Sequence, residues 1–290
     1  MSSPGITPFG TLAVVGLGLI GGSFARDVRR LGLADQLIGY DKNTVYREEI
    51  RSLNLVDYLA AAPDEKLGEA ELVLLAVPVK AFTEVLPQIR PYLSTSAIVT
   101  DTGSVKSPLL KIMSTMDYSG ISFVGGHPIA GSENFGPGAA QEKLFSGKRF
   151  ILTPSENTEH DVVERVRGLW QALGSAVSEM EAGAHDKMFA SVSHLPHLLA
   201  YASIQAIANS DTPEALGHSG AGLKDYSRIA SSSPEMWADI FLENSHNLQH
   251  RINIFKNVLS ALENAVKEKD KQKLIELLAN AKKERDRWIS

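Results

Sequence analysis

Apolar positions fall into two regimes along the chain. Over the first 181 residues they come as short runs, at 11–15, 37–40, 72–77, 97–100, 121–124, 150–153 and 176–180, several of them separated by amphipathic stretches. Short apolar runs alternating with helical patterns predict a largely parallel, doubly wound α/β sheet. From Gly183 onward the strand signal stops, and apolar residues recur at helical spacing over 189–208, 237–262 and 274–288. The pattern therefore predicts two domains, a sheet domain over 1–181 and an all-helical domain over 182–290. The segment 188–207 is more apolar than a single flanking layer readily covers, which points to burial against a second subunit, with a compact monomeric bundle as the other way to cover it. In the last helix Lys and Glu alternate with Leu and Ile, the pattern of a solvated face.

Composition narrows the classes. A 290-residue chain with 43% hydrophobic residues has the size and make-up of a two-domain globular protein. It has no cysteine, which excludes disulfides, thiolate catalysis and Cys-ligated zinc and fits a cytoplasmic location. Met1-Ser2-Ser3-Pro4-Gly5 has neither the basic start nor the apolar core of a secretory leader, and the apolar runs are too short to span a membrane. A formal charge of -5 speaks against a nucleic-acid-binding surface. An anionic small molecule would need local cations.

The first candidate chemistry sits at the end of the first apolar run, in the turn Gly16-Leu17-Gly18-Leu19-Ile20-Gly21-Gly22. A helix follows to about Leu31, then a second run closed by Asp41. Strand, G-x-G-x-x-G turn, helix, strand and acid about twenty residues on make up the dinucleotide-binding fingerprint of Rossmann-type domains. Gly16 permits the tight turn, Gly18 lets a pyrophosphate approach the backbone, and Gly21 lets the helix pack close to the sheet. The helix dipole then faces the phosphates. Asp41 is placed to accept hydrogen bonds from ribose hydroxyls and would repel a 2′-phosphate, which selects NAD. The neighbouring cation Lys42 leaves NADP as a secondary cofactor.

Ligands of an open parallel sheet bind beyond the carboxyl ends of its strands. Val77-Pro78, Asp101-Thr102-Gly103-Ser104-Val105-Lys106 and Gly125-Gly126-His127-Pro128-Ile129-Ala130-Gly131-Ser132-Glu133 all fall there. Val77, Pro78 and Thr102 are candidates to line a cofactor site. Pro78 also suits the start of a helix. His127, read as a loop residue between ligand-approaching glycines, is the candidate general base, because imidazole titrates near neutral pH; the competing reading is a histidine that hydrogen-bonds its own loop. Ser104 either orients the same hydroxyl or caps the helix starting near Lys106. His194 and His197 have the spacing of a zinc pair, yet no nearby carboxylate or thiol completes a metal site, so no metal is expected. Arg228 is either a bidentate carboxylate clamp or one half of a surface salt bridge.

Taken together, the glycine turn through Ser23, the Asp101 to Lys106 and Gly126 to Glu133 segments, Ser193-His194-Leu195-Pro196-His197 and Lys224-Asp225-Tyr226-Ser227-Arg228-Ile229-Ala230 resemble the prephenate/arogenate dehydrogenase family. The resemblance runs from Thr11 to the C-terminal helices, with the motifs in family order, and is closest to the stand-alone, monofunctional form. It implies oxidative decarboxylation of prephenate, arogenate or both, with hydride transfer to NAD, in a tyrosine-pathway homodimer joined through the helical domain. By the same resemblance His127 takes the ring hydroxyl proton and Ser104 positions that hydroxyl. Arg228 binds a substrate carboxylate and His197 orients the substrate. Glu133 and Trp237 lie near the pocket, and Lys224 with Asp225 reaches a neighbouring subunit's site. Two other readings compete. One is a 3-hydroxy acid dehydrogenase of similar architecture, which would use a helix-borne lysine. The other is a non-catalytic NAD(H)-sensing module, which would have no use for His127, Ser104 and Arg228 together.

Overall fold

A computed structural model describes residues 6–115, 120–210 and 212–289; the five residues Met1 to Gly5, read above for a leader, lie outside it. The strands are β1 (Phe9–Val15), β2 (Ala34–Tyr40), β3 (Tyr58–Ala60), β4 (Leu72–Leu75), β5 (Ile98–Asp101), β6 (Ser122–Pro128), β7 (Arg149–Pro154) and β8 (Ala176–Glu179). They form one sheet in the order β3-β2-β1-β4-β5-β6-β7-β8. Every pairing is parallel except β6 with β7. The sheet thus agrees with the expected doubly wound class. Among the described residues, the strand that the apolar runs did not mark is β3, whose three residues give no usable periodicity.

Strands with both faces covered are apolar throughout, and β1 shows why. Its Ala13 and Val15 pack on one face with Phe82, Val85, Leu86 and Ile89, while Leu12 and Val14 pack on the other with Phe24, Val28 and Trp170. The covering helices on the sheet domain are α1 (Leu19–Leu31), α2 (Tyr46–Ser52), α3 (Phe82–Ile89), α4 (Ser107–Thr115) and α5 (His160–Ala172). Strand order reverses between β1 and β4, so their carboxyl ends open the crevice in which such sheets bind ligands.

The helical part comprises α6 (Ala182–Phe189), α7 (Leu195–Ala208), α8 (Ala221–Ser227), α9 (Pro234–Glu243), α10 (Ser245–Lys267) and α11 (Lys271–Ile289). A π-helical turn, Ala190–His194, joins α6 to α7. From α9, Trp237 and Ile240 enter the core on one sheet face, so the two parts share packing. Ala200 is the one buried residue of α7, although that helix is mostly apolar.

Candidate active site

The glycine turn has the geometry that its sequence predicts. Gly16 adopts φ +90°, and a Cβ there would lie 2.5 Å from the Ala76 carbonyl oxygen. A Cβ on Gly21 would lie 1.9 Å from the Gly16 carbonyl oxygen, so only glycine lets α1 start this close to β1. A Cβ on Gly18 would meet nothing within 4 Å. Gly18 is also the N-cap of α1 and provides no side-chain cap, so the first N–H groups of the helix remain available to an anion. Leu19 and Ile20 form that first turn and are half-buried.

Beside the turn is a cleft of about 220 Å³ lined by Gly16, Gly18, Asp41, Val77, Pro78, Ala81 and Val85 among others. Its apolar wall suits an adenine ring and Asp41 suits the ribose, so the residues fit the dinucleotide. The Asp41 carboxylate accepts the Leu17 and Asn43 N–H groups, each at 2.8 Å, which ties the end of β2 to the glycine turn. Pro78 caps a short 3₁₀ turn, Val79–Ala81, and still lines the cleft, so its two roles coexist. Thr102 is half-buried, with its N–H donated to the Leu75 carbonyl at 3.1 Å. The Lys42 ammonium, next along the chain from Asp41, pairs with Glu84 at 3.2 Å.

His127 lies at the end of strand β6 rather than in a loop. The glycines before it serve the sheet. A Cβ on Gly125 would strike Thr153 Oγ1 at 2.3 Å, and one on Gly126 would strike the Phe150 ring at 2.4 Å. At the end of β5, Asp101 accepts the N–H groups of Gly103 at 2.7 Å and Gly126 at 2.9 Å. Its charge is paired with Lys106, whose ammonium also donates to the Gly126 carbonyl at 2.5 Å. Lys106 is 1% exposed, so this is a fully buried ion pair. Burial pulls its pKa down and Asp101 opposes the shift. The sequence contained the Lys106 motif but no sign that the lysine turns inward.

His127 Nδ1 lies 2.8 Å from His185 Nε2, and His185 Nδ1 lies 2.9 Å from Asp186 Oδ1. Both follow the start of α6, and His185 is 58 residues from the histidine it touches. Asp186 also caps α4, accepting the N–H groups of Lys106 and Ser107 at 2.8 Å each. The local expectation that Ser104 caps this helix is therefore wrong. Ser104 is half-buried and makes no hydrogen bond among the described residues. Burial drives the His127 pKa well below its ordinary value, helped by His185, Lys106 and His194. His185 is also lowered, by burial first, against the hydrogen bond to Asp186. For Asp186 burial acts upward, but hydrogen bonds from His185, Ser107 and Lys106 outweigh it and keep the carboxyl low.

Further along the helical part, His194 Nδ1 accepts from the Asn244 amide at 3.1 Å, and burial lowers its pKa to about 4. His197 donates from Nδ1 to the Ser193 carbonyl at 2.8 Å and stacks on Trp237 at 3.6 Å between centroids. His194 Nε2 and Trp237 Nε1 are buried without a partner among the described residues, two polar atoms suited to ligand oxygens. Arg228 reaches Glu133 at 3.4 Å and is 63% exposed, at the rim of the same region. Lys224 and Asp225 stand exposed on α8, with no ion pair among the described residues. The structure thus brings His127, His185, His194, His197 and Trp237 to one joint between sheet and helices.

Two family models match the chain: prephenate dehydrogenase, nucleotide-binding domain, over residues 24–179, and prephenate dehydrogenase, dimerization domain, over 181–280. The cyclohexadienyl dehydrogenase of Zymomonas mobilis is 35% identical over 97% of this chain and 96% of its own length. Among solved structures, the prephenate dehydrogenase of Aquifex aeolicus, in complex with hydroxyphenyl propionate and NAD+, superposes with a TM-score of 0.89 at 35% identity, covering 97% of this chain and 99% of that one. The arogenate dehydrogenase of Synechocystis gives 0.80 at 30% identity, covering 96% and 99%.

Proposed function

The chain belongs to the prephenate dehydrogenase family, and on that premise we propose how its residues carry the family's reaction. It is an NAD-dependent oxidoreductase acting by oxidative decarboxylation on prephenate, arogenate or both. Bound NAD supplies the acceptor for the hydride that leaves the ring carbon bearing the hydroxyl. His127 takes the hydroxyl proton on Nε2, and the ketone developing at that carbon receives the electrons of the carbon–carbon bond as the ring carboxylate departs as carbon dioxide. The ring becomes a phenol, and aromatisation makes the step effectively irreversible. Ser104 orients the hydroxyl, His197 and Trp237 flank the substrate, and Arg228, released from Glu133, pairs with a carboxylate. The observation that carries this reading is His127 itself, a buried imidazole at the sheet's ligand edge with Nδ1 engaged and Nε2 making no hydrogen bond among the described residues. NAD reduction by the purified protein, assayed with prephenate and then arogenate, tests it; no reduction with either would refute it.

Asp41→Ser is expected to weaken NAD use and improve NADP use, because it removes a ribose acceptor and a charge facing the 2′-position. The exposed Lys42–Glu84 pair is worth no more than about 1 kcal/mol and can yield Lys42 to a phosphate. The expected shift in preference is roughly 2 kcal/mol, about thirtyfold in the ratio of kcat/KM values for the two cofactors. A wild type that already prefers NADP would refute the assignment of Asp41.

Arg228→Ala should raise the substrate KM about thirtyfold with a smaller change in kcat, since a clamp on a non-reacting carboxylate holds ground and transition states alike. Its exposure puts the effect at the low end for a charged pair, about 2 kcal/mol. An unchanged KM with a lowered thermal midpoint would reduce Arg228 to a salt-bridge partner of Glu133.

The working unit is a homodimer joined through the helical part. The matched dimerization-domain model, the exposed apolar residues Ile254, Val258, Leu259, Ile275 and Leu278, and the thinly covered α7 all support it. The chain exposes 15839 Å², against roughly 12,000 Å² for a compact monomer of this length. Among the described residues, no helix is long and apolar enough to cross a membrane.

A further inference from the structure

We infer that His185 and Asp186 are positioning residues for the proton transfer: the Asp186 carboxylate fixes the tautomer of His185, and His185 fixes His127 with its proton on Nδ1 and its lone pair on Nε2. The inference rests on the reading of His127 as the base.

The assignment follows from which atoms can donate. An ionised carboxylate only accepts. Asp186 Oδ1 already receives the Lys106 N–H, and Oδ2 receives the Ser107 N–H, so the carboxylate is held at the start of α4 and cannot turn away. The 2.9 Å contact with His185 Nδ1 must then be donated by the imidazole. A neutral His185 with its proton on Nδ1 has a lone pair on Nε2, so the 2.8 Å contact to His127 is donated by His127 Nδ1. His127 Nε2 is left as the acceptor.

The surroundings oppose the alternative. A protonated His185 would donate from Nε2 and force the proton of His127 onto its Nε2, which could no longer take one up. His185 is 0% exposed and stacks on Phe189 at 4.4 Å, and the His127 ring packs on the same phenyl at 4.8 Å. The Lys106 ammonium adds a nearby positive charge, and Asp101 is the further acid facing His185. When His127 receives the substrate proton at Nε2, the Nδ1 proton stays where it is. The new imidazolium is then hydrogen-bonded through His185 toward a fixed negative charge, the arrangement by which an aspartate holds and stabilises the histidine of hydrolase triads.

The decisive observation is the 15N NMR spectrum of histidine-labelled protein at neutral pH without substrate, with His127 assigned by comparison with His127→Asn. Expected are an N–H signal for His127 Nδ1 and a bare-nitrogen signal for Nε2; the reverse overturns the inference. As a second measurement, His185→Phe keeps the ring packing and removes the acceptor. It should lower kcat about a hundredfold while leaving KM and the NAD dissociation constant near wild type. His185→Gln, whose amide oxygen can accept from His127 and whose amide N–H can donate to Asp186, should recover kcat to within about tenfold. A His185→Phe enzyme with wild-type kcat would also overturn the inference. Wild-type kcat in His127→Asn would instead remove the base assignment, an outcome distinct from either tautomer result.

Discussion

His127→Asn should lose turnover by roughly a hundred- to ten-thousand-fold while keeping NAD affinity and substrate KM, the range expected when a general base is removed. Asparagine can still donate to His185, so the local packing survives and the loss isolates the proton transfer. The pH profile gives a second readout. The base works only when neutral, and burial beside His185, Lys106 and His194 holds its pKa well below the ordinary histidine value of 6.5. Wild-type kcat/KM should therefore be flat through neutrality and fall only on the acid side, below pH 6.5, as the imidazole takes up a proton. Two ring nitrogens 2.8 Å apart titrate together, so the limb belongs to the pair His127 and His185. The asparagine variant should lack it. Near wild-type kcat in the variant, or a wild-type limb centred above pH 6.5, would contradict the assignment.

Lys106→Met should be the most destabilising of the substitutions considered. Removing the ammonium leaves the Asp101 carboxylate, 0% exposed, without its counter-charge, and breaking one side of a buried pair costs about 3 to 5 kcal/mol. Two N–H groups still reach Asp101, from Gly103 and Gly126, which keeps the loss from growing further. Lys106 also holds the Gly126 carbonyl, one residue before His127, so turnover should fall along with stability. Urea denaturation of the single variant and of Asp101→Asn/Lys106→Met measures the pair. The double variant should regain part of the loss, because it no longer buries an unpaired charge. Equal midpoints for the two would show that the charges are not coupled.

Much of the fold was legible because strands buried on both faces must be continuously apolar and the helices between them must be amphipathic. The glycine turn, Asp41 and Val77-Pro78 could be placed at one edge of the sheet because strand ends converge there by topology. His127 stood out because a histidine next to a strand end is chemically conspicuous. The joint beneath it did not. Nothing in Gly183-Ala184-His185-Asp186 announces contact with a strand 58 residues earlier, since that contact is made only when α6 docks on the sheet. Helix-capping rules pointed to Ser104 because they are local, whereas the cap of α4 comes from α6. Lys106 reads as an ordinary polar residue near a helix start; its burial is a tertiary property. Arg228 offered the same two readings in sequence that its exposed pairing with Glu133 allows in the structure.

The π turn between α6 and α7 can be read as a matter of angle. His185 and His197 are twelve residues apart, and at roughly 100° per residue an uninterrupted α-helix would point them about 120° away from each other. A π turn acts as one inserted residue, so the twelve steps count as eleven and the difference falls to about 20°. The widened turn is thus a phase corrector. It brings the histidine that steadies the base and the histidine that stacks on Trp237 onto one side of a single rod, and it separates their placement along that rod from their placement around it.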